Sequence, residues 1–238
     1  MTFAAMILAA GRGARMRPLT DTCPKPLLPV HGKPLMQWPM EALVRGGFTR
    51  LVINTAWLGE QIPHRFSEHP QPGASISYSH EGADFGDALE TAGGIARALP
   101  LLGDAFWVLA GDIYAPGFVF LQADVERFLA GDKLAHLWLV PNPEHNPKGD
   151  FGLSADGLAL NLPAGSNTPR LTYSTIGLYR SALFAPPLCD IPHGNPGGIR
   201  APLAPLLRAA MDRGRVSAQL YTGAWTDVGT PERLAALK

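Results

Sequence analysis

Residues 6–34 read MILAAGRGARMRPLTDTCPKPLLPVHGKP. An apolar run, Met6 to Ala10, stops at Gly11, and the loop that follows carries Gly11, Gly13, Arg15, Arg17 and Lys25. This order sets permissive backbone and fixed positive charge just past a buried strand. A phosphate group needs both, because it takes N–H donors at close approach and a cation to offset its charge. The loop lacks the Gly-Lys-Ser/Thr ending of a Walker A loop. The dinucleotide fingerprint needs a third glycine opening a helix, whereas Pro18 follows here almost at once. Two glycines among arginines would alone read as a surface turn. Pro18, Pro24, Pro26 and Pro29 change that reading, since they stiffen the loop and present Lys25 in a restricted orientation, as a triphosphate clamp requires.

Outward from this loop, buried strand-like runs alternate with helix-spaced segments, which is the pattern of an α/β fold with a largely parallel sheet. Strands are predicted at Phe3–Ala9, Arg50–Asn54, Ala74–Ser79, Ala105–Ala110, Ala135–Val140, Leu171–Tyr179 and Arg215–Tyr221. Helices are predicted at Leu35–Arg45, Leu58–Phe66 (with Pro63 shortening or bending it), Thr91–Leu99, Phe118–Leu129, Pro202–Arg213 and Pro231–Leu237. Residues 141–170 are rich in Pro, Asn and Gly and read as loops and small hairpins over the sheet's carboxyl edge. Residues 186–202 read as a mobile Pro/Gly segment, a lid or an ordinary loop. No clean linker divides the chain, so 1–238 is expected to be a single domain with a substrate-binding insert at about 141–170.

Composition narrows the function. Of 238 residues, 46% are hydrophobic and 17% charged, with 20 Lys+Arg against 20 Asp+Glu. That balance excludes a protein that grips a nucleic acid backbone over a wide face, but leaves room for a locally positive pocket. Cys23 and Cys189 make neither a disulfide framework nor a zinc cluster, and a reducing, cytoplasmic setting is expected. No apolar run approaches the ~20 residues that cross a bilayer, so no membrane partner is expected.

Two carboxylates complete the picture. Asp112 follows the Ala105–Ala110 strand at Gly111, at the strand end where α/β sheets place ligands. Asp227 lies in Trp225-Thr226-Asp227-Val228-Gly229-Thr230. Either alone reads as a cap or turn residue. Together, in a chain with a phosphate loop, they suggest a Mg²⁺ site, because magnesium takes few protein carboxylates and fills its shell from phosphate and water.

The chain resembles the sugar-1-phosphate nucleotidylyltransferases. The likeness is carried by Gly11, Gly13, Arg15, Pro18, Thr20 and Pro24-Lys25-Pro26-Leu27, by Gly111-Asp112, and by Trp225, Asp227, Gly229 and Thr230. It runs from the first strand to the last helix. It implies a Rossmann-like three-layer sandwich with a mostly parallel mixed sheet, Arg15 and Lys25 as the catalytic cations on the triphosphate, and Asp112 and Asp227 as ligands of Mg²⁺. Arg17 lies outside the shared core and receives no role. The stretch Glu81-Gly82 to Glu90-Thr91-Ala92-Gly93-Gly94 resembles the family's base-reading loop, with Thr91-Ala92 matching uridylyl enzymes. Thr91 reads equally as a helix cap. Ala10, Gly11 and Gly13 offer further nucleotide contacts.

Sugar contacts are expected from Asp150, Phe151 and Gly152, where relatives place an aromatic-Gly pair, and from Ser174 and Thr175. Many relatives carry a Glu just before that strand. Here 162–169 read LPAGSNTP, with no acid. A missing acid suits a sugar with its own carboxylate, since like charges repel. The resemblance therefore implies uridylyl transfer from UTP to a sugar-1-phosphate, N-acetylmuramic acid 1-phosphate first, in cell-wall sugar recycling. Glucose, N-acetylglucosamine or mannose 1-phosphate, or phosphocholine, are alternative acceptors, and a non-catalytic nucleotide-sugar sensor is a different class. Little chain follows the last motif, and a monomer or weak homo-oligomer is expected. Among the histidines, His64, His69, His80 and His145 read as surface groups. Trp107 and Trp138 read as core, and Trp57 as packing or pocket lining.

Overall fold

The computed structural model describes residues 3–68 and 71–237. Seven strands build its main sheet: β1 (Ala4–Leu8), β2 (Arg50–Thr55), β3 (Ser75–His80), β4 (Ala105–Ala110), β5 (Ala135–Val140), β6 (Thr172–Arg180) and β7 (Val216–Leu220). Their order across the sheet is β3-β2-β1-β4-β6-β5-β7. Strand β6 runs antiparallel to β4 and β5, and the remaining pairings are parallel. The mostly parallel mixed sheet is the one expected from the alternating pattern.

Seven α-helices accompany it among the described residues: α1 (Gln37–Arg45), α2 (Gln61–Glu68), α3 (Glu81–Phe85), α4 (Glu90–Leu102), α5 (Gln122–Ala130), α6 (Leu203–Met211) and α7 (Pro231–Ala235). Successive side chains on a strand point to opposite faces, so a strand covered on both sides must be apolar throughout. Strand β1 meets this condition. Ala4 and Met6 join a core with Ile95 and Leu99 of α4 and Leu206 and Leu207 of α6. Ala5 and Ile7 join the opposite core with Met40 and Leu43 of α1, Ile62 of α2 and Val125 of α5. The three-layer arrangement follows.

A smaller third core matters more for function. Met16, Leu28, Val30 and Leu35 of the N-terminal loop pack with Val228 and Leu234 near the C-terminus. This contact draws the two ends of the sequence together. The loop itself is wound into single 3₁₀ turns at Ala14–Met16, Leu19–Asp21 and Lys25–Leu27. Arg12 donates to the Thr20 carbonyl at 3.0 Å and lies 3.6 Å over the Trp57 ring, whose Nε1 donates to the same carbonyl at 2.9 Å. Trp57 is thus a support beneath the loop and not a pocket wall. Arg17 pairs with Asp21 at 3.0 Å.

Several predicted boundaries shift for identifiable reasons. The helix expected over Phe118–Leu129 begins at Gln122. Phe118 and Phe120 lie ahead of it as buried ring contacts, 5.6 Å from Trp138 and 5.0 Å from Trp107 respectively. The helix expected from Leu58 starts at Gln61, because Leu58 itself takes φ 48°. Pro63 falls in the first turn, where its missing N–H costs little. The segment 186–202 is tied down: Asn195 is fully buried, donates to the Gly93 and Ile199 carbonyls at 3.1 and 2.9 Å, and accepts from Ile199 N–H at 2.8 Å. Trp107 and Trp138 are core, as expected. His69 lies outside the described residues. No helix among the described residues is long and apolar enough to cross a membrane.

His136 on β5 is held by Ser217 Oγ at 2.9 Å, and burial pushes its imidazole down to about 4 from an ordinary 6.5. The unfolded chain then binds this proton more readily than the folded one. Stability from this group is full above pH 6.5 and is lost as pH falls toward about 4. The expected result is a smaller drop in unfolding midpoint between pH 7 and pH 5 for His136→Gln than for the wild type.

Candidate active site

A cavity of about 660 Å³ opens along the edge of the sheet where the parallel strands end. Its walls follow the strand order. Asn54 at the end of β2 and Glu81 just past β3 stand at one side, Ala9–Gly11 after β1 and Asp112 after β4 in the middle, and Tyr173 and Thr175 of β6 at the other side. Lys25, Glu90, Thr91, Asp150, Phe151 and Arg208 complete the polar and aromatic lining. This is the size and position at which α/β sheets hold ligands.

The centre is glycine-rich and carries one cation, Lys25. Gly11 has open space where a Cβ would stand, and Gly13 sits at φ 64°, where a side chain is strained and would press on Thr20 at 3.0 Å and Lys25 at 3.2 Å. Lys25 Nζ pairs with Asp112. The short ladder Ile113–Tyr114 with Thr226–Asp227 sets Asp227 opposite Ile113, and Val228 N–H donates to the Asp112 carbonyl at 2.8 Å. The two aspartates therefore meet on neighbouring backbone. Asp227 accepts from Arg233 at 2.7 Å and lies 2.7 Å from His145 Nε2. A Cβ on Gly229 would collide with the Arg233 guanidinium and stand 3.3 Å from Arg15 Nη2, so Arg15 and Arg233 share this corner. Arg15 and Asp227 are not among the cavity's lining residues; they stand beside it. His145 is exposed, as read from sequence, and tertiary folding brings it to Asp227.

A buried hydrogen-bond chain shapes the β2–β3 side. Ala9 N–H donates to Asn54 Oδ1 at 2.7 Å, Asn54 Nδ2 donates to Glu81 Oε1 at 2.7 Å, and Leu89 N–H donates to Glu81 Oε2 at 2.7 Å. Glu81 is fully buried, and that burial pushes its carboxyl above the ordinary range against the pull of these donors. Both its oxygens are spent on protein, so its role is to fix the wall. The same bond anchors Leu89 N–H ahead of α4, and the Ala201 carbonyl accepts from Ala92 and Gly93 N–H in its first turn. Leu89 occupies the cap position without a side-chain bond, and Thr91 is a cavity residue, not the cap. Glu90 lines the cavity at φ 58°, a strained conformation for a residue with a side chain.

Glu81→Gln tests this chain. Asn54 cannot turn its amide without losing Ala9, so a glutamine would aim an N–H at another donor. A loss of about 1–3 kcal/mol is expected in chemical denaturation at pH 7. Because the folded carboxyl binds its proton more tightly than the unfolded one, the wild-type contribution is greatest below the ordinary value of 4.5 and declines as pH rises through the raised value. The variant loses that slope.

At the β6 side, Asp150 accepts from Tyr173 N–H at 2.8 Å and from Asn146 Nδ2 at 3.3 Å, and Phe151 is buried in the wall. Thr175 lines the cavity at φ 65°, and its Oγ1 has no partner among the described residues. Ser174 and Gly152 are corrections. Ser174 is fully buried and donates to the Trp138 carbonyl at 2.6 Å, off the cavity. The register of β6 against β5 slips between Tyr173 and Gly177, which breaks the simple alternation. Gly152 sits behind Phe151, where a Cβ would meet Leu162 at 2.7 Å. Arg208, from α6, was not foreseen: its segment reads as an ordinary amphipathic helix. Asn54 and Tyr173 were missed in the same way. Among the described residues no group of three or more His, Cys, Asp or Glu gathers as a metal cage.

Comparison with known proteins gives a consistent answer. A family described as Nucleotidyl transferase matches residues 4–154. The N-acetylmuramate alpha-1-phosphate uridylyltransferase of Neisseria meningitidis serogroup B is 49% identical over 231 residues, covering 97% of this chain and 94% of the relative. The protein of that name from Caulobacter vibrioides is 32% identical, covering 98% and 94%. In fold, the chain is similar to HddC from Yersinia pseudotuberculosis, with a TM-score of 0.73 at 19% identity, over 99% of this chain and 98% of that one.

Proposed function

The chain belongs to the nucleotidyl transferase family, and on that basis we propose that it transfers a uridylyl group from UTP to N-acetylmuramic acid 1-phosphate. The products are the UDP-sugar and pyrophosphate, a reaction suited to cell-wall sugar recycling. The observation that carries this reading is the cavity's layout, with a glycine-rich centre that holds Lys25 and Asp112 between two differently built side walls. The 49% identity to an enzyme named for this reaction supports it.

In the proposed reaction an oxygen of the sugar phosphate attacks the α-phosphorus in line, the bond from that phosphorus to the bridging oxygen breaks, and pyrophosphate departs. The attacking phosphate is already anionic near neutral pH, so no general base is required. The work is positioning and charge compensation. Lys25, with the open backbone at Gly11, takes the triphosphate, and Arg15 neutralises the departing pyrophosphate with Arg233 beside it. The wall fixed by Asn54 and Glu81 presents Ala10 and Thr91 to the base. Asp150, Phe151 and Thr175 face the sugar.

Asp112 and Asp227 are the residues that would hold a Mg²⁺ ion: their backbones adjoin, their carboxylates, now paired with Lys25 and with Arg233 and His145, are hard oxygen donors, and magnesium takes few protein carboxylates and completes its shell with phosphate and water. Magnesium, when bound, supplies charge shielding between the two phosphates. Both cysteines are free thiols, which suits a reducing, cytoplasmic setting. The chain is proposed to work as a monomer or weak homo-oligomer.

The test is a panel of UTP, dTTP, GTP and CTP against N-acetylmuramic acid, N-acetylglucosamine, glucose and mannose 1-phosphates and phosphocholine, read as pyrophosphate release. UTP with the muramic acid sugar is expected to give the highest kcat/KM. A higher value for any other pair overturns the assignment.

A further inference from the structure

We propose that Arg208 selects the acceptor sugar by pairing with a carboxylate on it. Two cations line the cavity, Lys25 at the phosphate loop and Arg208 on α6. Lys25 already faces Asp112. Arg208 faces no carboxylate among the described residues. Its Nη1 donates to Asn161 Oδ1 at 2.8 Å, its Nη2 reaches the Asp150 backbone carbonyl at 3.4 Å, and its guanidinium stands 5.0 Å from the centre of the Phe151 ring. All three are neutral partners. The nearby acid, Asp150, spends its carboxylate on Tyr173 N–H and Asn146.

This guanidinium is held in place. Asn161, its main acceptor, is itself fixed by two bonds to Asp212 at 3.0 and 3.1 Å. Leu203 and Leu207, on the same helix, line the same wall and lower its polarity. A fixed cation that touches only an amide, a backbone carbonyl and an aromatic ring, in a partly apolar wall, favours an anion from the ligand. The position says which anion. Arg208 sits with Asp150, Phe151 and Tyr173 at the β6 side, whereas on the proposed reading the nucleotide's phosphates and the sugar's own phosphate are taken by Lys25. The charge that meets Arg208 is then a separate acid on the sugar ring's substituents. The fork of N–H donors suits a planar carboxylate, and two of its five N–H groups are engaged here. The acid-free stretch 162–169 leaves no competing carboxylate in the preceding loop.

This inference rests on the sugar-phosphate uridylyltransferase reading, and its test separates the two. Wild type, Arg208→Met and Arg208→Lys are assayed with N-acetylmuramic acid 1-phosphate, with the carboxamide of its lactyl group, and with N-acetylglucosamine 1-phosphate, which lacks the lactyl group. For Arg208→Met, kcat/KM on the acid is expected to fall ~10²-fold, mostly through KM. The amide and the unsubstituted sugar are expected to change less than about threefold, and Arg208→Lys to keep part of the preference. Equal losses on all three substrates, or an unchanged preference in Arg208→Met, would overturn the role of Arg208 while leaving the uridylyltransferase reading intact. A wild-type enzyme that transfers uridylyl to the unsubstituted sugar and not to the acid would overturn the role of Arg208 alone, and one that releases no pyrophosphate from UTP with any of the three would overturn the uridylyltransferase reading.

Discussion

Lys25→Met is expected to lower kcat for nucleotidyl transfer by ~10²–10³-fold, the range for removing one preorganised charge from a transition state. Lys25 sits on a single 3₁₀ turn between Pro24 and Pro26, with its side chain only 12% exposed and its Nζ on Asp112. The loop that carries it is clasped by Arg12, Thr20 and Trp57, none of which touches the substituted atoms. Methionine keeps the length and the packing of the stem. It leaves Asp112 without its partner, but that carboxylate remains 30% exposed and screened by water, so the stability cost is about 1 kcal/mol. Activity and stability are thus expected to separate. Steady-state kcat and the unfolding midpoint, measured on the same sample, check it. Unchanged turnover in a variant that unfolds at the wild-type temperature would remove Lys25 from the reaction.

The second large effect concerns the aspartates. Asp227→Asn is expected to raise the Mg²⁺ concentration for half-maximal activity by at least about tenfold and to lower kcat at saturating metal by ~10²-fold. In this chain Asp227 also holds Arg233 and His145, each at 2.7 Å. Asparagine keeps the shape and one acceptor but gives up the charge. A purely structural role would therefore move the unfolding midpoint and leave the metal titration alone. A metal-ligand role moves the titration. Asp112→Asn is expected to behave similarly, and it would also release Lys25. A metal titration identical to wild type in both variants contradicts the proposed site.

The parts of this molecule that were legible in the sequence are those whose cause is local. The run from Met6 to Lys25 states its own strand, its turn glycines and its stiffening prolines, and the structure keeps all three. The strand at Ala105–Ala110 is apolar at every position and could only be central. The harder features depend on partners far along the chain. Arg208 has an ordinary place on a helix, and its meaning comes from Asn161, Asp150 and Phe151, which the helix merely meets. His145 gains significance only when the C-terminal ladder delivers Asp227. Ser174 and Thr175 are adjacent and chemically alike, yet an irregular register in β6 turns the first toward the Trp138 backbone and leaves the second at the cavity. Phe118 and Phe120 have helix-compatible spacing with their neighbours, but aromatic packing on Trp107 and Trp138 keeps them extended ahead of α5.

Glu90 and Thr175 carry a different lesson. Both take left-handed backbone, and both line the cavity. Strain of this kind persists where surrounding structure over-determines it. Here the bond from Leu89 to Glu81 and the packing of α6 on α4 fix the first, and the bonds of Ser174 fix the second.

The most direct measurement follows the label in UTP. The protein is incubated with N-acetylmuramic acid 1-phosphate and Mg²⁺, using UTP carrying ³²P on either its α- or its γ-phosphorus. The expected result is α-label in the sugar nucleotide and γ-label in pyrophosphate, in equal amounts. Label from the γ-position in orthophosphate or on the sugar, or α-label confined to UTP, would contradict attack at the α-phosphorus within this cavity.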